Sequence, residues 1–129
     1  MTTTHAPIFW FAGDDWEIRA TLLDENGNPY DLSGTPEIKW ALLDGSCRRV
    51  IDEADVSISV TDAAAGKCSI MVPSAKTSPL PGARYTDAIR IVTGGVSSTL
   101  STGSIYVTAD PWAVQAATVA RRPVLRRVS

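Results

Sequence analysis

Asp14 to Gly34, DDWEIRATLLDENGNPYDLSG, is the stretch whose reading decides the fold. Trp16, Ile18, Ala20 and Leu22 fall on one side of an extended chain, and Glu17, Arg19 and Thr21 on the other. Apolar and polar residues alternating in twos are the pattern of a strand buried on one face. Asp24-Glu-Asn-Gly-Asn-Pro29 follows. There Asn and Gly supply the positive φ of a tight turn, and Pro29 fixes the exit. After an irregular step, Tyr30 to Gly34, the alternation resumes from Glu37 to Leu43 with Ile38, Trp40 and Leu42 on one face. Two tryptophan-bearing strands joined this way predict the centre of a β-sandwich. Its expected core is Trp16, Ile18, Leu22, Ile38, Trp40 and Leu42.

Toward the N-terminus, Ile8, Phe9, Trp10 and Phe11 succeed one another before Gly13-Asp14. This predicts a short opening strand, covered on both sides or packed on a partner. Toward the C-terminus, Asp44-Gly45 ends the Trp40 strand, and Cys47 to Ile51 can pair back as a hairpin. Val56 to Thr61 and Lys67 to Val72 alternate on either side of a small-residue turn. Pro73 to Gly82 contains three prolines and no period, so it is a loop with room for a helical turn at Thr77 to Leu80. Arg84 to Val92 is the next strand, with Tyr85 and Ile89 in the core register. Gly94-Gly95 closes a hairpin into a last strand from Val96 to Thr108. There Leu100 is out of phase with Ile105 and Val107, which calls for a bulge near Gly103. About seven or eight strands with frequent turn signals define an all-β sandwich.

Asp87 interrupts the apolar register between Tyr85 and Ile89. Either it is a buried carboxylate met by Arg84, Arg90 or a backbone N–H, or a local bulge turns it to solvent.

The chain has 129 residues, 44% of them hydrophobic, which suits one domain with a real core. Its formal charge of -2 is unevenly distributed. Residues 1–110 hold 8 basic and 14 acidic side chains, a net of -6, and residues 111–129 hold four arginines and no acid. An acidic body argues against nucleic-acid binding by the domain. Arg121, Arg122, Arg126 and Arg127 suit phosphate or an acidic patch on a neighbouring copy. The acidic complement in the same chain favours the second. No apolar run is long enough to span a membrane, and the N-terminus lacks the basic region of a secretory signal. Cys47 and Cys68 belong to no metal-ligand spacing. Free thiols are preferred over a disulfide, with Cys68 in phase with Ile70 and Val72 as a small buried hydrophobe.

Asp110-Pro111 reads as the start of a helix, with Asp at the N-cap and Pro at the first position. That helix would carry Trp112, Ala116 and Val119 on one stripe, with Arg121 and Arg122 at its end and Pro123 stopping it. The expected organisation is a domain over 1–110 with a short N-terminal arm, then a helix and basic tail over 111–129.

Tests for chemistry return little. The one histidine, His5, sits in a Thr-rich arm and reads as a solvated or contact residue, not a catalytic base. No nucleophile elbow, phosphate loop, dinucleotide fingerprint or zinc motif occurs. Asp24 to Asn28 superficially resembles a calcium loop, but its Gly falls at the fourth position, where an EF-hand requires the sixth, so a plain turn is preferred. No catalytic residue, cofactor or metal is therefore expected. Trp10 and Trp112 lie outside the clean alternation and read as packing or subunit-interface residues, not as a sugar platform.

The order Gly13-Asp14-x-Trp16, Asp24-x-x-Gly27-x-Pro29-x-Asp31-Leu32-Ser33-Gly34, Gly82-x-x-Tyr85 and Thr99-Leu100-x-x-Gly103-x-Ile105-x-Val107 resembles small Ig-like phage virion domains. These include the N-terminal domain of siphophage baseplate upper proteins. The resemblance covers about residues 8–110. It implies an Ig-like antiparallel β-sandwich in a tail, baseplate or fibre attachment, with no catalytic residues to carry over. Asp87 and the 111–129 extension depart from the pattern. The expectation is a non-enzymatic virion protein made in the host cytoplasm. Its partners would be copies of itself or other tail proteins, with no membrane and no nucleic acid. An assembly interface is expected at Trp10, Trp112, Val119 and the four arginines. A capsid decoration protein, and an adhesin-like or carbohydrate-binding module, are the alternatives.

Overall fold

The computed structural model describes residues 3–112, which form nine strands in two sheets. The strands are β1 (Thr3–Thr4), β2 (Ile8–Phe11), β3 (Trp16–Thr21), β4 (Glu37–Leu43), β5 (Arg49–Asp52), β6 (Ser57–Asp62), β7 (Lys67–Val72), β8 (Ala83–Thr93) and β9 (Val96–Thr108). A single helical turn, α1 (Ser74–Thr77), lies in the proline-rich loop. The first sheet runs β9-β8-β4-β5, with β1 and β2 both laid along the free side of β9. The second runs β3-β7-β6. Alternation along every long strand sends one set of side chains into a shared apolar layer.

Within that layer Trp16, Leu22, Trp40, Leu42, Tyr85 and Ile89 are each exposed by no more than 2%. Ile18 is also buried, and Ile38 is half-buried at the margin. The Asp24 turn forms as its residues dictate. The Asp24 carboxylate accepts from the N–H groups of Asn26 and Asn28, and Gly27 adopts φ +81°. Leu22 and Leu32 are then fixed against the next turn, by Leu22 N–H donating to Gly66 O and Leu32 N–H to Ala63 O.

Three expectations need correction. The fold is not purely antiparallel, because β1 and β2 pair parallel to β9. The short Thr-rich arm, for which no strand was expected, forms one. Thr3 and Thr4 pair with Ser101 and Thr102, which adds the ninth strand. The bulge is at Leu100 and not at Gly103. Ile89 pairs with Ser101 and Arg90 with Thr99, so Leu100 is the extra residue. Inserting it there turns Leu100 inward while Gly103, Ile105 and Val107 keep the core phase. The helical turn also begins earlier than expected, at Ser74. Val119 and the arginines at 121, 122, 126 and 127 lie outside the described residues. So does the body of the expected C-terminal helix. Asp110 Oδ1 accepts from Trp112 N–H at 2.9 Å.

The chain passes from the first sheet to the second at Gly13. Its φ of +92° is one that side chains rarely adopt, and a Cβ there would stand 2.6 Å from an Asp110 oxygen. Thr77, fully buried, accepts from Gly13 N–H at 3.0 Å and donates to Asp14 O at 2.7 Å. Beside this crossing, Trp16 donates its indole N–H to Phe11 O at 3.0 Å and stacks on Trp10 with ring centroids 5.0 Å apart. Trp16→Ala removes both contacts and opens a cavity between the sheets. It is expected to cost about 3–5 kcal/mol, read as a fall in the urea midpoint at unchanged slope.

Candidate functional site

The most unusual group in the core is the Asp87 carboxylate. Its register is inward, opposite Leu42 on β4 and Gly103 on β9, and its side chain is 2% exposed. Neither arginine proposed as its partner reaches it. Arg84 and Arg90 stand on the opposite face of β8, where they bond Ser104 and Thr99. Two residues remote in sequence hold Asp87 instead. Trp40 donates its indole N–H to Oδ2 at 3.1 Å, and the His5 ring bonds Oδ1 through Nε2 at 2.5 Å.

Of the two readings of His5, solvated or in contact, the contact is the one that holds. Its backbone N–H donates to Thr102 O, continuing the β1 ladder, and its ring lies over Gly103. A methyl group on Gly103 would overlap that ring. The glycine is therefore needed for the imidazole to reach Asp87. Nδ1 faces Ala6 O at 2.6 Å while Nε2 faces Asp87. Both ring nitrogens meet oxygen acceptors, and the doubly protonated imidazolium satisfies both. The His5 pKa is accordingly raised. Burial works against the charge, but the Ala6 carbonyl and the Asp87 carboxylate outweigh it. Among the described residues no buried side-chain polar atom lacks a partner.

A cleft of about 280 Å3 opens beside this group, lined by Thr3, Thr4, Ile18, Arg19 and Ser101 among others. Arg19, the nearest further cation on its rim, is engaged by Glu17 at 3.2 Å. The triad of Trp40, Asp87 and His5 has no nucleophile within its hydrogen bonds. Both histidine nitrogens are already committed. Chemically, it can hold a proton and pin a strand. The described residues contain no cluster of three or more metal-ligating side chains. A larger open depression on the outer face of β3, β7 and β6 is lined by Glu17, Arg19, Ser59, Thr61, Lys67 and Met71, with no aromatic ring. Cys68 is buried, which pushes its thiol pKa up, and Cys47 is exposed. Both are free.

Of the residues expected at an interface, Trp10 and Trp112 are among those described. Trp10 is half-buried and stacks its ring on Trp16, the packing role among the two expected of it. The outward-facing members of that strand are Phe9 and Phe11. Trp112 is 77% exposed. Sequence alone signals the Asp87 site only through a charged residue in an apolar phase. His5 carries no signal, since it lies 82 residues away.

Because the folded His5 pKa lies above its unfolded value of about 6.5, its contribution is complete below that value. It is lost as pH rises through the folded pKa. The stability difference between wild type and His5→Ala is therefore expected to be about 1–3 kcal/mol near pH 6 and to shrink by pH 9, measured by urea unfolding at each pH. Gly103→Ala should displace the ring. Its signature is faster amide exchange at the His5 N–H, with Trp16 and Ile89 still protected.

No protein-family model matches the chain, and no curated protein matches it. Among solved structures, the N-terminal domain of phage TP901-1 ORF48 is similar at 19% identity and a TM-score of 0.54, over 80% of this chain and 85% of that one. CopC from Methylosinus trichosporium OB3b is 12% identical over 81% of this chain and 86% of its own, with a TM-score of 0.44. A 2,6-sialyltransferase from Photobacterium sp. JT-ISH-224 gives 11% identity and a TM-score of 0.35, and the match covers 84% of this chain but only 18% of the enzyme. This chain thus has the fold of the phage domain.

Proposed function

We propose that this chain is a non-enzymatic structural protein of a phage or prophage virion, an Ig-like sandwich of the tail, baseplate or fibre-attachment region. The observation that carries the reading is the likeness to the N-terminal domain of phage TP901-1 ORF48, which spans most of both chains. Two internal features support the Ig-like description. Trp40 is a fully buried tryptophan in the central strand β4, and the Tyr85 hydroxyl donates to Pro81 O four residues upstream, as in a tyrosine corner. The polar depression on the second sheet offers no ring for a sugar to stack on, which disfavours the carbohydrate-binding alternative.

In this reading residues 111–129 are the assembly element, and the partners are copies of the chain or adjacent virion proteins. Trp112 and Val119 dock on an apolar surface, and Arg121, Arg122, Arg126 and Arg127 meet acidic loops such as those of this chain's own body. Apolar contacts supply most of the affinity, and the charges set register and encounter rate. Exposed ion pairs contribute only about 0–1 kcal/mol each, so the arginines act as a set.

Two measurements test this. In particles purified by density gradient from a lysate of cells carrying the gene, mass spectrometry should find the chain in constant ratio to other virion proteins. Recovery only in the particle-free fraction would overturn the reading. A version ending at Asp110 should keep the unfolding transition of the full chain and lose incorporation into particles.

A further inference from the structure

Sheet edges in this domain are guarded by charge, with one exception. The edge strands β3, β5 and β6 carry Glu17 and Arg19, Arg49 and Asp52, and Asp62. On the remaining edge β2 reads Ile-Phe-Trp-Phe, beside β9, whose 13 residues include no charged side chain. Phe9 is 73% exposed and stacks on Tyr106 with centroids 5.0 Å apart, and Phe11 is 47% exposed. An unguarded apolar edge is a template for another strand. We propose that this edge pairs with a second copy of the same chain, β2 against β2, antiparallel about a twofold axis at Phe9.

The backbone selects that register. Ala12 N–H donates to Thr108 O, so by alternation Ile8, Trp10 and Ala12 turn their backbone groups to β9. Phe9 and Phe11 turn theirs to the open edge, and Pro7 continues the same alternation. The Phe11 carbonyl is already taken by the Trp16 indole, and Pro7 has no N–H. What the edge offers is the Phe9 N–H and C=O, the Phe11 N–H and the Pro7 C=O. With Phe9 opposite Phe9, the two Phe9 residues exchange both hydrogen bonds, and each Phe11 N–H meets the Pro7 carbonyl of the other copy. Donors and acceptors then match with none left over. Setting Phe9 opposite Phe11 instead would aim an N–H at a carbonyl already engaged.

Side chains and charge agree with this register. Directly opposed residues of an antiparallel pair share a face, so the stacked Tyr106–Phe9 pair continues across the axis into Phe9–Tyr106. Residues 1–110 carry a net of -6, and two copies repel through most of their surface. The β2 and β9 strands carry no acid, and the nearest charge on their outer face is the Arg84 guanidinium bonded to Ser104, so this face escapes that repulsion. It offers nothing to a cationic partner, which the acidic faces would attract instead. A second copy is the occupant that fits. The pairing holds whether or not the chain works in a virion.

Analytical ultracentrifugation of the full-length chain from about 1 μM to 1 mM is the test. Wild type should show a monomer–dimer equilibrium. Phe9→Glu and Phe9→Lys should each raise Kd about tenfold or more, since like charges then meet across the axis. An equimolar mixture of the two variants should associate more tightly than either alone, because a carboxylate then faces an ammonium group across the axis. Unfolding curves like that of wild type would exclude damage to the fold, since Phe9 is outside the core. A full-length chain that stays monomeric, as it would if another part of the chain covered the edge, overturns the proposal. So do a dimer indifferent to Phe9→Glu and a mixture no tighter than its components.

Discussion

A carboxylate inside an apolar layer has to be met by donors, and here that requirement ties the N-terminal arm to the middle of the first sheet. Asp87 sits mid-strand in β8, where the alternation points it inward. An unmet charge in that position would cost several kcal/mol. The Trp40 indole satisfies one oxygen from the neighbouring strand β4, and His5 satisfies the other from the N-terminal arm. Much follows from this pair of bonds. Gly103 must lack a side chain so that the imidazole can pass, and β1 must run parallel to β9 to bring His5 over it. Removing Asp87 would leave the arm without its polar anchor. Removing His5 would leave the carboxylate with a single donor.

The second anchor is built from hydrogen bonds and a ring stack. At Gly13 the chain changes sheets, and the buried Thr77 hydroxyl serves both a donor and an acceptor of that turn. Asp15 accepts from Ser74 N–H at 2.7 Å, which holds the helical turn against the same crossing. The Trp10–Trp16 stack then fills the space between the strands on either side. An ionic contact at one end of the arm and a hydrophobic one at the other hold nine consecutive residues on the flank of β9. Changes of pH act on the first, and temperature acts on the second through the hydration of apolar surface.

Local alternation made the long strands and the two tryptophans legible. Trp16 and Trp40 share the phase of residues that can only be inward, and the structure places both in the shared apolar layer. The same alternation identified Asp87 as inward in phase but could not name its partner. A period of two assigns a face; it says nothing about which distant strand lies opposite. Arg84 and Arg90 were attractive because they are near in sequence, yet their even spacing from one another and odd spacing from Asp87 puts them on the other face. His5 could be read only as solvated or in contact, because Thr-Thr-Thr-His-Ala-Pro has no period. Its order comes from pairing with Ser101 and Thr102. The bulge was legible as a phase conflict, though its position was not, since either Leu100 or Gly103 could absorb one residue.

The parallel pairing of β1 and β2 with β9 also sets an order of events when the chain is made. The arm leaves the ribosome well before β9, with which it pairs, so Thr3 waits for Ser101 and Ile8 for Ile105. Throughout that interval Ile8, Phe9, Trp10 and Phe11 have no sheet to join, while the β3–β7 and β4–β8 pairings can already form. Closure of this domain is therefore a final step of high sequence separation, slow relative to the hairpins. Until it occurs the nascent chain displays four adjacent apolar residues, which makes the β2 segment the natural grip for a chaperone.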